Sequence, residues 1–106
     1  MNVQYKKGVI ELCVLSMLAR RDCYGYDVSE NISRLIDISD GTVYPILRKL
    51  KNDGLVTTYL QEESGGPPRK YYKLTTVGDK FLTELDQTWD ELSQAVKKTT
   101  RKNAQR

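Results

Sequence analysis

The chain has no histidine, one phenylalanine, one tryptophan and only two cysteines. The missing histidine removes the usual general base at neutral pH and the commonest protein metal ligand. Two cysteines, Cys13 and Cys23, are too few for a disulfide scaffold or a four-ligand zinc site. Cys13 lies in an apolar run and reads as a buried, inert thiol. Cys23 sits beside Tyr24-Gly25 in an expected turn, with no second cysteine spaced to partner it. No apolar run is long enough to span a bilayer. The run GVIELCVLSMLA follows Lys6-Lys7, but Glu11 interrupts it and Arg20-Arg21-Asp22 stand where a signal peptide would carry small residues. These absences predict a cytoplasmic protein without a membrane role, in which the Asn31-Ile32-Ser33 sequon has no meaning. Nucleophile–base pairs and phosphate-cradling glycine loops are also missing, so neither an enzyme nor a cofactor is expected.

What is present is charge, unevenly placed. The formal net charge is +3, but residues 97–106 hold five basic and no acidic side chains. Without them, 12 basic and 14 acidic groups leave −2. Only local clustering can therefore argue for an anionic partner. Residues 76–96 set Lys80 against Asp79, Glu84, Asp86, Asp90 and Glu91, and this acidic segment is expected to face away from such a partner.

At 106 residues the chain is one domain, able to bury a little over about 60% of its unfolded surface. Residues 8–19 are apolar nearly all round, which predicts a central helix buried on most sides. A second helix, residues 25–36, carries the narrow stripe Val28, Ile32 and Leu35. A third follows from Ser39 as N-cap, with Val43, Ile46, Leu47 and Leu50 on one face and Asp53-Gly54 as its stop. Pro45 falls inside it and conflicts with the carbonyl of Gly41, so a loosened first turn is expected, not a break. Residues 55–61 and 69–75 are rich in β-formers around a Gly-Gly-Pro-Pro tip and predict an antiparallel hairpin. Thr75 or Thr76 then caps a last helix to about Val96. Leu82, Leu85, Trp89, Leu92 and Val96 form its heptad seam, with Val77 and Phe81 turned toward the N-terminal part. A lone helix cannot bury that seam in so small a domain, and a twofold partner is the economical solution. The basic tail, residues 97–106, is expected to be disordered.

Three helices, a hairpin and a long helix make a mainly α (α+β) chain on the winged helix-turn-helix plan, with residues 1–75 as the winged unit and 76–96 as the dimerisation helix. The outer face of the third helix shows Thr42, Tyr44, Pro45, Arg48, Lys49, Lys51 and Asn52. Taken alone, these are a solvated helix face. Arg69, Lys70 and Lys73 on the second hairpin strand, with Lys6-Lys7, would extend them into a cationic surface, opposed mildly by Glu62 and Glu63 at the hairpin tip. Arginine can bond guanine edges, whereas lysine and tyrosine reach phosphates.

The segments Tyr24-Gly25-Tyr26, GTVYPILRKL (41–50), Asp53-Gly54-Leu55-Val56 and GGPPRKYYKLT (65–75) resemble the PadR family of bacterial transcriptional regulators. The resemblance spans residues 5–96 and is closest to the small form with a single C-terminal helix. It implies a homodimer that binds operator DNA, usually as a repressor, through the third helix and a glycine-rich wing, with the C-terminal helices in the dimer contact. Some relatives respond to phenolic acids or flat hydrophobic drugs.

The expected DNA contacts are Lys6, Lys7, Lys49, Lys51, Arg69 and Lys70 to phosphates, with Thr42, Tyr44 and Arg48 nearest the bases of a pseudo-palindromic double-stranded site. The expected dimer surface is Val9, Cys13, Leu82, Leu85, Trp89, Leu92 and Val96. Trp89 is either a packing residue there or, paired with its symmetry copy, half of a stacking slot for a planar aromatic effector. Asp86, Asp90 and Gln94 would favour a cationic one. Two alternatives stand beside this reading: a winged-helix module for protein–protein contact, and a ligand-binding protein without an operator.

Overall fold

A computed structural model of the chain describes residues 3–62 and 65–100. The elements run α1 (Val3–Arg20), β1 (Cys23–Tyr24), α2 (Gly25–Leu35), α3 (Asp40–Asn52), β2 (Val56–Gln61), β3 (Arg69–Leu74) and α4 (Thr76–Thr99). One core joins them. Ile10, Val14, Leu15 and Leu18 of α1 meet Val28 and Ile32 of α2, Val43, Ile46, Leu47 and Leu50 of α3, and Leu55, Val56 and Tyr72 from the wing root. The central position expected of the first helix is the observed one. It begins earlier than residue 8, so Lys6 and Lys7 are helical.

α2 differs in its stripe. Val28 and Ile32 are buried, but Leu35 is 79% exposed, and Ile36, beyond the helix end, packs on the core in its place. Spacing placed Leu35 correctly on one face. That face has left the core by the last turn, where the chain bends toward α3.

α3 runs unbroken through Pro45. Gly41 lies one turn before it, and a Cβ there would meet only Ser39 Oγ, at an ordinary 3.7 Å. Ser39 occupies the N-cap position in extended conformation, yet its hydroxyl does not cap the helix. It meets Thr42 Oγ1 at 3.3 Å instead, while the Thr42 amide donates to the Ser39 carbonyl at 3.0 Å. The stop is as expected. Gly54 has φ +77°, and the Leu55 amide reaches back to the Leu50 carbonyl at 3.0 Å, closing the helix in a Schellman turn.

The sheet has three antiparallel strands in the order β1-β3-β2. Cys23-Tyr24, expected as a turn, pairs with Tyr72-Tyr71 of β3, while Val56–Gln61 pairs with Leu74–Arg69. The third strand gives the hairpin support that two strands alone lack.

Thr75 fixes the start of α4. Its Oγ1 accepts from the Gly78 amide at 2.9 Å and donates to the Gly54 carbonyl at 2.7 Å, with the Leu55 carbonyl oxygen 3.0 Å away. The helix then extends to Thr99, so Lys97 and Lys98 are helical and not part of a disordered tail; residues 101–106 lie outside the described residues. Along α4, Gly78 is buried, and Leu82 and Leu85 pack on the core. Trp89, Leu92 and Val96 continue the same stripe but are exposed, Trp89 and Leu92 bordering a groove beside α1. Val77 and Phe81 are also exposed, contrary to the expectation that they pack inward, since the Gly78–Leu82–Leu85 face takes that contact.

Candidate nucleic-acid interface

The site is assembled by the apolar stripe of α3. Burial of Val43, Ile46, Leu47 and Leu50 forces the opposite face outward. That face carries Tyr44, Pro45, Arg48, Lys49 and Lys51 in exposed positions, with Thr42 half-buried at its start. Arg48 and Lys51 make no ion pair among the described residues. Lys49 does. Its ammonium lies 3.0 Å from Asp53 Oδ2 and 3.5 Å from Glu11 Oε2 of α1. The Asp53 hydrogen bond and then the Glu11 charge raise the Lys49 pKa. Lys49 is thus a cation whose charge is already largely answered.

The wing lies beside this face. Tyr72 of β3 shares the core with the buried face of α3, and burial raises its pKa, with Tyr44 pushing the same way and Arg48 opposing. Strand alternation sends Arg69, Tyr71 and Lys73 to one side of the sheet, and Lys70 and Tyr72 to the other. Arg69 does not simply extend into solvent: its guanidinium stacks over the Tyr24 ring, 4.8 Å from the centroid. Lys70 and Lys73 are exposed. Of the two tip glutamates, Glu62 is exposed and Glu63 lies outside the described residues.

Lys6 is placed differently from the other cations. Only 8% of it is exposed, and its ammonium donates to the Asp37 carbonyl at 2.7 Å, within the link between α2 and α3. Lys7, one residue on, is exposed and lines a groove between α1 and α3 with Glu11, Thr42, Pro45, Ile46 and Lys49. The structure therefore gathers Tyr44, Arg48, Lys49, Lys51 and Lys7 on neighbouring surfaces, and Lys70 on the adjoining strand. It leaves Lys6 beneath them.

The expected dimer and effector residues divide as well. Cys13, Leu82 and Leu85 pack against the chain's own core, and burial raises the Cys13 pKa. Val9, Leu85, Trp89 and Leu92 line a groove of about 240 Å³ with Gly8, Leu12 and Thr88, between α1 and α4. Asp86 and Asp90 do not line it, and Asp90 Oδ2 accepts from Gln94 Nε2 at 3.1 Å along the helix.

Sequence reasoning missed a row of tyrosines on the outer face of the sheet. The register sets Tyr24, Tyr71 and Tyr59 side by side, with Tyr59 and Tyr71 stacked at 5.7 Å between centroids and Tyr24 and Tyr71 at 6.1 Å. Tyr59 donates to Asp22 Oδ2 at 2.7 Å, tying β2 to the end of α1. The signal lay in the spacing of tyrosines within two strands, but the third strand needed to align them was not legible.

The match to the PadR-like transcriptional regulator family covers residues 14–84, which include every element of the winged unit except the start of α1. The chain belongs to the PadR-like family of transcriptional regulators. The transcriptional regulator Rv3488 of Mycobacterium tuberculosis is 30% identical over 94 residues, covering 88% of this chain and 87% of that protein. The crystal structure of a PadR-like regulator from Bacillus cereus superposes with a TM-score of 0.78 at 35% identity, over 88% and 92% of the two chains. A PadR family regulator from Eggerthella lenta gives 0.78 at 33% identity, over 91% and 85%. These likenesses make the winged helix a PadR winged helix, and the chain a transcriptional regulator, not an enzyme. As for the membrane, no helix among the described residues is long and apolar enough to cross one.

Proposed function

We propose that this PadR-like regulator is a homodimeric repressor that reads a pseudo-palindromic operator in the cytoplasm with α3 and flanks it with the β2–β3 wing. The observation that carries the reading is the outer face of α3: Tyr44, Arg48 and Lys51 are exposed, and the two cations have no ion pair among the described residues. An unpaired cationic helix face beside a basic strand suits the major groove and its phosphates, whereas a protein-docking face would be depleted of lysines such as Lys51 and Lys70. Arg48 faces base edges; Lys51, Lys7 and Lys70 supply salt-dependent phosphate affinity, and Lys49 does so only by releasing Glu11 and Asp53.

The α1–α4 groove beside Trp89 is the site for a planar, apolar effector. With Asp86 and Asp90 outside its lining, a positive charge on that effector is not required.

Selection of bound duplexes from a random pool tests the reading, with binding then compared between the recovered sequence and random DNA. A recovered palindrome supports it. Arg48→Ala weakens the recovered site by about tenfold or more while barely changing random DNA; equal losses on both would make Arg48 a backbone contact. Failure to recover any preferred sequence would overturn the reading. In the same samples, planar dyes quench Trp89 if the groove is the effector site, and no quenching at sub-millimolar dye would exclude that role.

A further inference from the structure

We infer that Lys6 and Glu11 are positioning residues, two polar struts by which α1 holds both ends of the reading helix; the inference rests on α3 being that helix.

Lys6 holds the first end. An ammonium is strongly hydrated, and burying it is costly unless a good acceptor replaces the water. Here the acceptor is the Asp37 carbonyl at 2.7 Å, in the short link that leads into α3. No carboxylate pairs with Lys6 among the described residues, so the bond to the link is its principal compensation. Two residues beyond Asp37, Ser39 leaves its hydroxyl uncommitted to helix capping. The entry to α3 is thus held from outside by α1 and not by a side-chain cap of its own.

Glu11 holds the other end. It lies one and a half turns along α1 from Lys6, is largely buried, and meets Lys49 at 3.5 Å in the last turn of α3. Its partner also bonds Asp53 at 3.0 Å, beside the helix stop. The other side of α1 contributes Gly8, Val9 and Leu12 to the Trp89 groove. A shift of α1 at that groove is therefore delivered to α3 at two points about ten residues apart, which sets its tilt. The arrangement also separates two roles that lysine composition alone would merge. Lys6 fixes geometry, and Lys7, Lys51 and Lys70 meet phosphates.

The test uses Lys6→Met, which keeps the stem and removes the amine, and Glu11→Gln. Lys51→Met serves as the exposed-cation reference. Binding of the full chain to the selected operator and to random duplex is measured across a salt series, and amide hydrogen exchange is followed in the free protein. Losing one phosphate contact reduces the steepness of log K against log salt by about 0.9, and Lys51→Met shows that change. Lys6→Met weakens the operator by about tenfold and leaves the salt slope at its wild-type value. Exchange at the Thr42 amide accelerates, while amides near Leu47 and Leu50 hold. Glu11→Gln also narrows the gap between operator and random DNA, without reducing the slope.

A slope change in Lys6→Met equal to that of Lys51→Met would make Lys6 a phosphate contact and overturn the inference. So would unchanged operator affinity. If wild type itself shows no preferred duplex, the DNA reading fails, and exchange alone decides the struts: an unaltered Thr42 rate in Lys6→Met removes the first, and an unaltered rate at the Asp53 amide, which donates to the Lys49 carbonyl, in Glu11→Gln removes the second.

Discussion

Tyr59 shows how a single exposed side chain can carry a tertiary link. Its hydroxyl donates to Asp22 at 2.7 Å across 37 residues of chain, joining the wing to the turn after α1. That hydrogen bond to a carboxylate, helped by partial desolvation and the Asp22 charge, raises the Tyr59 pKa to about 12. The sign follows from the proton. An unfolded tyrosine releases it near about pH 10, and the folded one holds it for longer. The link therefore contributes fully below about pH 10, and its contribution is lost as pH rises through about 12. Tyr72 is also shifted upward, by burial, so a bulk titration mixes the two. Absorbance at 295 nm of wild type minus Tyr59→Phe isolates the residue, and the difference curve has its midpoint near about 12. A midpoint at the ordinary tyrosine value would show that the hydroxyl is not held by Asp22. Over the same interval, the stability advantage of wild type over Tyr59→Phe declines to nothing.

At the scale of elements, the junction of α3, β2 and α4 decides how the wing and the long helix leave the core. The Thr75 amide donates to the Leu55 carbonyl and its hydroxyl to the neighbouring Gly54 carbonyl, and the next turn brings Gly78 against the Leu55 carbonyl. A Cβ at position 78 would enter the Leu55 carbonyl itself. Backbone on both sides leaves nothing flexible to yield. Gly78→Ala is therefore expected to destabilise by about 2 kcal/mol or more in urea unfolding. Gly8→Ala is the control: it is also helical, but its Cβ meets open space, and it gains up to about 1 kcal/mol. Equal effects at the two glycines would mean that the junction is looser than its geometry. Sequence patterns read this region unevenly, for physical reasons. The stop of α3 at Asp53-Gly54 and the cap at Thr75 were legible because each is a local rule between residues a few positions apart. β1 was not, since Cys23-Tyr24 is a strand only because Tyr71-Tyr72 arrives from far along the chain. Leu35 failed for the same reason: periodicity gives its face, but only the packed partners tell where that face leaves the core. Lys6 looked like one of several basic side chains, and its burial against Asp37 depends on how α1 crosses the α2–α3 link.

The molecule as a whole is more elongated than a compact chain of its length. A domain of this length has an expected radius of gyration near about 13 Å, against the observed 16.1 Å, and its long axis extends 59 Å. The excess is α4, about 36 Å long, whose second half carries Trp89, Leu92 and Val96 past the end of the core. Water-exposed apolar groups on one helical stripe, continuous with residues that do pack, are what a twofold partner would cover. Leu92 is the sharpest probe because it is 57% exposed and both lies on the stripe and lines the α1–α4 groove. Burying a leucine contributes about 1.5–3 kcal/mol, and a symmetric interface counts it twice. Leu92→Glu should then weaken self-association by about 3 kcal/mol or more, over a hundredfold in the dimer constant. Light scattering after size exclusion reads roughly twice 12.2 kDa for wild type and moves toward the single-chain mass for the variant. Thermal stability of the remaining monomer's winged unit changes little, because Leu92 is exposed and lies outside the core cluster. Operator affinity falls steeply with the dimer, since each half-site alone supplies only half of the phosphate contacts. A wild type that is monomeric at micromolar concentration yet still binds a palindrome tightly would separate reading from pairing, and would leave the exposed half of α4 to some other partner.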